Sequence, residues 1–197
     1  MLTLYLSPGS SSMAAHIALR EVGAPFAVRS LSFARKEHRD PAFLAINPEG
    51  KVPALLIGGH GVLTEVAGIL FYLARRFPEA GLLPPGGGAE AEAQVISWMS
   101  FLASTVHPAR RQGMEHALAV WALAERRLGG RDWAVGGRCS IADIHLFRLF
   151  WRFRGAAPGL EGSAFPGLMA HHDRMLARPA VARTIEAEAA LGYELPA

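Results

Sequence analysis

The feature that most constrains the fold is a segment near the middle of the chain, residues 82–88, which has the sequence LLPPGGG. Consecutive prolines remove backbone donors and consecutive glycines lose much conformational entropy on ordering, so neither a helix nor a central strand can form there. Strand patterns occur before this segment, and helical patterns dominate after it. We therefore predict a linker, which we assign to residues 78–89, between two domains of different class.

The first half of the chain has the pattern of an α/β domain. A helix is predicted at residues 13–22, and another is predicted to be capped by Thr64 and to end before Pro78, because apolar residues recur there at helical spacing. Short apolar runs bounded by glycine or proline predict strands at residues 2–6, 26–31, 53–57 and 62–63. The predicted order is β-α-β-α-β-β-α.

The second half has the pattern of a helical bundle. Residues 140–153 are apolar nearly all round, so this segment is expected to be the central and most buried helix. Two further helices are expected to start near Pro166 and Pro179, since proline favours the first helical position. Apolar stripes predict two more helices, with Val95, Trp98, Leu102 and Val106 on residues 89–107, and Leu118, Trp121 and Leu128 on residues 114–128.

The composition excludes several classes of protein. With 197 residues and 51% hydrophobic content, the chain can bury one ample core or two small ones, which argues against disorder. The net charge is +3, but the arginines are scattered in pairs rather than massed with aromatic residues, so no nucleic acid partner is expected. A single cysteine, no leader-like start and no apolar run of roughly 20 residues predict a soluble, cytoplasmic protein.

The start of the predicted central helix carries a capping box. Ser140 and Asp143 can each bond the backbone of the other, with Cys139 packing beside them. We therefore interpret Cys139 as a small packing residue rather than a catalytic thiol. Residues 171–172 are both histidine, but adjacent helical side chains point in different directions and no further ligands accompany them. We interpret both as surface residues and expect no metal.

Three segments could carry chemistry. Residues 7–12 (SPGSSS) lie at a strand-to-helix junction, where free N–H groups and the helix dipole would stabilise an anion such as a thiolate. Residues 47–53 (NPEGKVP) form a turn-rich entry to a strand. Residues 64–66 (TEV) open a helix, where Glu65 could pair with an amine and the Val66 N–H could bind a carboxylate. Each segment also has an ordinary explanation in capping or turn formation.

Those three segments, in this order and followed by the linker and the capping box, resemble the glutathione transferase family, and the bacterial beta class most closely. The resemblance covers essentially the whole chain. It implies a thioredoxin-like, glutathione-binding domain at residues 1–77 and an all-helical domain with the pocket for the second substrate at residues 90–197. The segments that carry it are LYLSPGSSSMAAHIALRE, FLAINPEGKVPALL, LTEVAGILFYLARRFP and GGRCSIADIHLF.

The resemblance implies a role for residues at the start of two elements. The backbone of Val52 would pair with the cysteinyl part of glutathione, with Pro53 in the cis form. Glu65 and the Val66 N–H would bind the γ-glutamyl end.

The resemblance implies further contacts elsewhere. Lys36, together with Arg35, would face the glycyl carboxylate, and His107 would lie over the thiol site. A histidine at a helix end before Pro108 also has an ordinary structural explanation. Tyr5 is expected to face the core of its domain, with its hydroxyl near the same site.

The sequence departs from the beta class in three places. Ser11 stands where that class usually has cysteine, which removes the thiol that supports mixed disulfides with glutathione. Val66 stands where the wider family often has serine, so a hydroxyl contact is lost and the backbone donor is kept. The segment between His107 and Ser140 is shorter than usual, which predicts a reshaped pocket for the second substrate.

The resemblance implies that a serine hydroxyl activates the thiol of glutathione. We favour Ser11 as the donor, then Ser10, with Ser12 as the cap of the first helix. The thiolate would attack a small hydrophobic electrophile. Two alternatives stay open: glutathione-dependent isomerisation or peroxide reduction, and a non-catalytic binding protein. The family is typically homodimeric, and the apolar stripe beside Trp98 is compatible with packing between subunits.

Overall fold

The computed structural model describes residues 1–84, 86, 88–157 and 164–194. The chain forms two compact units. One contains Met1–Ala80 together with the chain from Pro179 onward, and the other contains Gly81–Arg178.

The first unit is built on a four-stranded mixed sheet. Its strands are Leu2–Leu6 (β1), Phe26–Ser30 (β2), Ala54–Ile57 (β3) and Gly61–Thr64 (β4), in the order β2-β1-β3-β4. β1 runs parallel to β2 and antiparallel to β3, and β3 runs antiparallel to β4. Three helices connect these strands or follow them: Ser12–Glu21 (α1), Pro41–Leu44 (α2) and Val66–Arg76 (α3). The predicted order β-α-β-α-β-β-α is confirmed.

The two faces of β1 pack against different partners, because successive side chains alternate across a strand. Leu4 and Leu6 are fully buried on one face. Tyr5, on the other face, packs its ring 5.5 Å from the ring of Phe43 in α2. The sheet is therefore covered on both sides.

The second unit contains helices and connecting loops, and no strand, in its described residues. Its helices are Gly88–Phe101 (α4), His107–Ala109 (α5), Met114–Leu128 (α6), Ile141–Gly155 (α7) and Pro166–Leu176 (α8), and a π-helical turn, Leu102–Val106, joins α4 to α5. The first ten residues of α7 are all buried, as the prediction of a central helix requires. In the part of the chain that the structure describes, no helix is long and apolar enough to cross a membrane.

Of the two apolar stripes predicted in this unit, one is wrong at one position and the other is confirmed. Leu118 is 37% exposed, because the buried face of α6 is set one residue earlier, at Ala117, and continues through Val120 and Trp121. Trp98 is only 1% exposed, and the guanidinium of Arg127 lies 4.8 Å from the centre of its ring. The stripe predicted from Val95, Trp98, Leu102 and Val106 is therefore buried, and a role for the surface beside Trp98 in subunit packing stays a prediction.

The predicted capping box is present. The carboxylate of Asp143 accepts hydrogen bonds from the N–H of Ser140 at 2.9 Å and from its hydroxyl at 2.8 Å. Cys139 is buried, with its sulfur 3.8 Å from that of Met175, which agrees with a packing role.

The last helix, Pro179–Leu191 (α9), packs against α1 and so belongs to the first unit. The predicted helical domain, residues 90–197, assigned it to the other half of the chain. That helix was predicted from the proline at its start, which carries no information on the unit that the helix contacts.

Candidate functional site

The register of the sheet brings four candidate segments of the first unit to one edge. Ala54, the first residue of β3, pairs with Tyr5 near the end of β1 and with Thr64 at the end of β4. Leu6 pairs with Ser30 at the end of β2. The serine loop (residues 7–12), the segment before β3, the start of α3 and the loop after β2 therefore all begin or end at this edge.

Hydrogen bonds hold the serine loop in a compact turn. The Ser12 hydroxyl donates to the carbonyl of Ser7 at 3.1 Å and accepts from the Ser7 N–H at 3.2 Å. The hydroxyls of Ser10 and Ser12 lie 2.7 Å apart. Because Ser12 has one hydroxyl hydrogen and gives it to Ser7, Ser10 is the donor in that pair. Both residues are buried, and both help to hold the turn.

Ser11 differs from its two neighbours. It occupies the N-cap position of α1, it is half-buried, and its hydroxyl donates to the carbonyl of Val52 at 3.1 Å. Ser12 was predicted as the cap, which is wrong: it is the first residue of the helix, and its hydroxyl bonds back to the strand end. Of the three serines, Ser11 is the one whose hydroxyl is both near solvent and at the edge where the segments meet.

The segment before β3 is a tight turn that ends in a cis peptide bond between Val52 and Pro53. The side-chain amide of Asn47 donates to the carbonyl of Lys51 at 2.8 Å, and its oxygen accepts from the N–H of Glu49 at 3.2 Å. Val52 and Pro53 are buried. The backbone of Val52 thus lies beside Ser11, as their hydrogen bond requires.

The start of α3 differs from the prediction in one respect. Thr64 is the last residue of β4, and Glu65 is the N-cap, with φ 62° and ψ 129°. A non-glycine residue in such a conformation costs on the order of 1–3 kcal/mol, so the surrounding structure must hold Glu65 in it. The Glu65 side chain is exposed, while Val66, the first residue of α3, is buried.

The loop after β2 carries two exposed cations. Arg35 donates from its Nε to the carboxylate of Glu37 at 2.9 Å, and this contact raises the pKa of Arg35. Lys36 adopts the left-handed conformation, with φ 57°. Since Glu37 already pairs with Arg35, Lys36 is the better candidate of the two for binding an external anion.

Tyr5 is half-buried in a cluster with Phe43, Val52 and Ala54. This position agrees with the prediction that it faces the core. Its contribution to binding stays a prediction.

His107 belongs to the second unit, where it begins α5. Desolvation, together with the positive charges of Arg148 and Arg111, lowers its pKa to about 4. More than a third of the residue is still open to solvent, which screens those charges. His107 is therefore neutral at pH 7, and the role that the resemblance implies for it stays a prediction.

The prediction that both histidines of the 171–172 pair lie at the surface is wrong. They are 1% and 4% exposed, and His171 contacts Asp143 at 3.0 Å through its Nε2. Their spacing from the buried Leu168 and Met175 is helical and could have indicated a buried face. In the described ranges, no group of three or more histidine, cysteine or acidic side chains could hold a metal ion.

Sequence reasoning also missed Glu188, which is fully buried and bonds the serine loop through Gly9. It shares a helical face with Val181 and Thr184, both buried. Glu188 occupies a position on the buried face of the helix, where a charged residue is unusual, and this could have identified it from the sequence.

Comparison with known proteins agrees with this geometry. The family model described as the glutathione S-transferase N-terminal domain matches residues 1–75, and the model of the C-terminal domain matches residues 95–179. The chain is 34% identical over 200 residues to glutathione S-transferase GstA of Escherichia coli O157:H7, a match that covers 94% of this chain and 98% of that protein.

Solved structures agree as well. A bacterial beta class glutathione S-transferase of Sphingomonas chungbukensis has a TM-score of 0.81 at 35% identity, covering 94% of this chain and 98% of that one. A glutathione transferase homologue from sulfitobacter, with bound glutathione, has a TM-score of 0.83 at 32% identity, covering 95% and 98%.

Proposed function

Because this chain belongs to the glutathione S-transferase family and is a transferase, we propose that its serine loop activates the thiol of glutathione for attack on a small hydrophobic electrophile. The observation that carries the proposal is the position of Ser11. Its half-buried hydroxyl lies at the N-terminus of α1 and contacts the carbonyl of Val52, so a cysteinyl group paired with the Val52 backbone would lie within its reach.

The chemical problem is the low acidity of a thiol. With a reference pKa of about 8.5, roughly 3% of free thiol is ionised at pH 7. A hydroxyl that donates to the sulfur, and the dipole of α1, both favour the thiolate. A shift of about 2 pKa units, equivalent to roughly 2.7 kcal/mol, would raise the ionised fraction to about 75%.

In the proposed reaction the thiolate attacks an electrophilic carbon. With an activated chloronitrobenzene, the carbon–sulfur bond forms, the carbon–chlorine bond breaks with its electron pair, and chloride leaves. The thiol proton is released to solvent when the thiolate forms. Ser11 acts only by donating a hydrogen bond, so it is neither consumed nor covalently changed.

The rest of the edge supports binding of glutathione. The Glu65 carboxylate would bind the amine of the γ-glutamyl end and the Val66 N–H its carboxylate, at the positive end of the α3 dipole. Lys36 would bind the glycyl carboxylate, with a smaller contribution from Arg35. A tripeptide that carries one ammonium and two carboxylates matches this set of charges.

Retention on immobilised glutathione, followed by a conjugation assay with an activated chloronitrobenzene, tests the proposal. We expect retention and a chloride-releasing reaction that is first order in enzyme. A protein that is not retained would overturn it. Retention without conjugation would favour glutathione-dependent isomerisation, peroxide reduction or non-catalytic binding. Turnover of a cis-alkene substrate would indicate isomerisation, and turnover of a peroxide would indicate peroxide reduction. A protein inactive in both assays would be a binding protein.

We also propose a cytoplasmic, homodimeric protein with a role in detoxification. This part of the proposal rests on the family alone. Sedimentation equilibrium tests the dimer, and a monomer at micromolar concentration would contradict it.

A further inference from the structure

The C-terminal helix holds the serine loop through one carboxylate. Glu188 of α9 is fully buried, and its Oε2 accepts a hydrogen bond of 2.7 Å from the N–H of Gly9. Its Oε1 lies 2.9 Å from Nδ1 of His16 in α1. Both contacts join residues that are far apart in sequence, by 179 and 172 positions.

The contact of His16 with Arg20 shows which ring nitrogen of the histidine carries the hydrogen. Arg20 contacts Nε2 of His16 through its own Nε at 3.3 Å, and a guanidinium can only donate. Nε2 therefore accepts, the ring hydrogen is on Nδ1, and His16 donates to Glu188. The carboxylate of Glu188 thus accepts from two fixed donors, one in the serine loop and one in the helix that follows it.

The hydrogen bond to Gly9 acts close to the proposed donor. Gly9 has φ 72° and stands two residues before Ser11, in the turn where Ser10 donates from its N–H to the Ser7 carbonyl at 3.0 Å. Fixing the Gly9 N–H fixes the orientation of this turn. The direction in which the Ser11 hydroxyl points depends on that orientation.

A second carboxylate from the same end of the chain holds the other loop of the site. Glu194 accepts from the Ser32 hydroxyl at 2.8 Å and from the Ala34 N–H at 3.1 Å. The hydrogen bonds from these two residues lower the pKa of Glu194. Ser32 and Ala34 precede Lys36 in the loop after β2. Residues 179–194, which we call the C-terminal strap, therefore contact both loops.

We propose that Glu188 is a positioning residue for thiol activation, and that the C-terminal strap sets the geometry of both glutathione-binding loops. The inference rests on the proposed function, since it concerns the same site. Glu188 would act on the chemical step through Gly9, and Glu194 would act on substrate binding through the loop that carries Lys36.

The test compares Glu188→Gln with Thr184→Val. The Glu188→Gln substitution keeps the shape of the side chain. Its amide nitrogen, however, would face either the Gly9 N–H or the His16 Nδ1–H, each of which donates to a carboxylate oxygen in wild type. Thr184 is equally buried on the same helix face, and its hydroxyl bonds the carbonyl of Ala180 in its own helix, so its replacement controls for lost stability. Steady-state kinetics and an ultraviolet titration of bound glutathione thiolate are measured for each.

For Glu188→Gln we expect the pKa of bound thiol to rise by about one unit, from about 6.5 to about 7.5. This lowers the thiolate fraction, and with it kcat at pH 7, about threefold, with KM for glutathione within about twofold of wild type. A purely electrostatic effect would lower that pKa, because a negative charge has been removed near the thiolate. Thr184→Val should leave both quantities unchanged. Glu194→Gln should instead raise KM for glutathione several-fold with kcat nearly constant.

Different results would overturn the proposed function and the positioning role of Glu188. Failure of the wild-type protein to bind glutathione would overturn the proposed function. A wild-type protein that binds and reacts, with Glu188→Gln no different from Thr184→Val in kcat and thiol pKa, would overturn the positioning role. If Glu188→Gln does not fold, Glu188→Asp, which keeps the charge on a shorter side chain, is measured in the same way and is expected to show a smaller change of the same sign.

Discussion

The hydroxyl of Ser11 and the carbonyl of Val52 form a hydrogen bond of 3.1 Å that joins the serine loop to the segment before β3. The same hydroxyl is the proposed hydrogen-bond donor to the thiolate of glutathione. In the proposed mechanism, the Ser11 hydroxyl turns from the carbonyl to the sulfur of bound glutathione, a change of one torsion between staggered wells. The contact with Val52 orders the hydroxyl before that change.

Glu65 combines a strained backbone with a proposed binding role, so its replacement should separate stability from affinity. Glycine removes the strain of about 1–3 kcal/mol at the cost of roughly 0.5–1 kcal/mol in chain entropy. We expect Glu65→Gly to be at least as stable as wild type in urea denaturation, with KM for glutathione raised about tenfold or more. Glu65→Gln, which keeps the backbone strain, should raise KM without the gain in stability. A clear loss of stability in Glu65→Gly would contradict this interpretation.

Lys36 and Arg35 should differ in their effect on glutathione binding. Arg35 already pairs with Glu37, whereas the resemblance favours Lys36 as the partner of the glycyl carboxylate. We expect Lys36→Gln to raise KM for glutathione by about fivefold to tenfold, in a salt-dependent way, and Arg35→Gln to raise it by less than about twofold. Equal effects of the two substitutions would show that Lys36 has no special role.

His145 should make the protein less stable in acid. Burial, with the charges of Arg148 and His107, lowers its pKa to about 3. The unfolded chain, with a histidine pKa of about 6.5, binds this proton first, so the free energy of unfolding falls as the pH drops from 6.5 towards 3. Between pH 6.5 and 5.5 this group should account for about 1 kcal/mol.

Urea denaturation at several pH values checks this expectation. The variant His145→Gln should show a shallower dependence on pH than wild type, and His116→Gln, at an exposed position, should not. A wild-type slope that persists in His145→Gln would assign the acid sensitivity to other groups.

Much of the fold could be predicted because its signals are local. The alternation of short strands and the capping box of Ser140 and Asp143 each depend on residues close in sequence. Family resemblance added the cis bond before Pro53, which the structure contains. These features do not depend on how distant parts of the chain pack.

Other features depend on packing between distant segments and could not be predicted locally. Glu188 meets Gly9 only because α9 packs on α1, and His171 is buried only because α8 brings it to Asp143. The cap of α3 was assigned to Thr64 from residue type, whereas the backbone conformation of Glu65 decides it. For Glu188 and His171, contacts between distant segments decided the outcome, whereas for the cap the local backbone conformation did.

The most direct test of thiol activation is the pKa of glutathione bound to wild type, Ser11→Thr, Ser11→Ala and Ser10→Ala, measured by ultraviolet titration of the thiolate. We predict a pKa about 2 units below 8.5 in wild type. Ser11→Thr keeps the hydroxyl and should keep most of the shift, whereas Ser11→Ala should lose at least about one unit of it. Ser10→Ala should change it less, because the Ser10 hydroxyl bonds within the loop. A pKa that is the same in wild type, in both alanine variants and in their double mutant would contradict the serine mechanism.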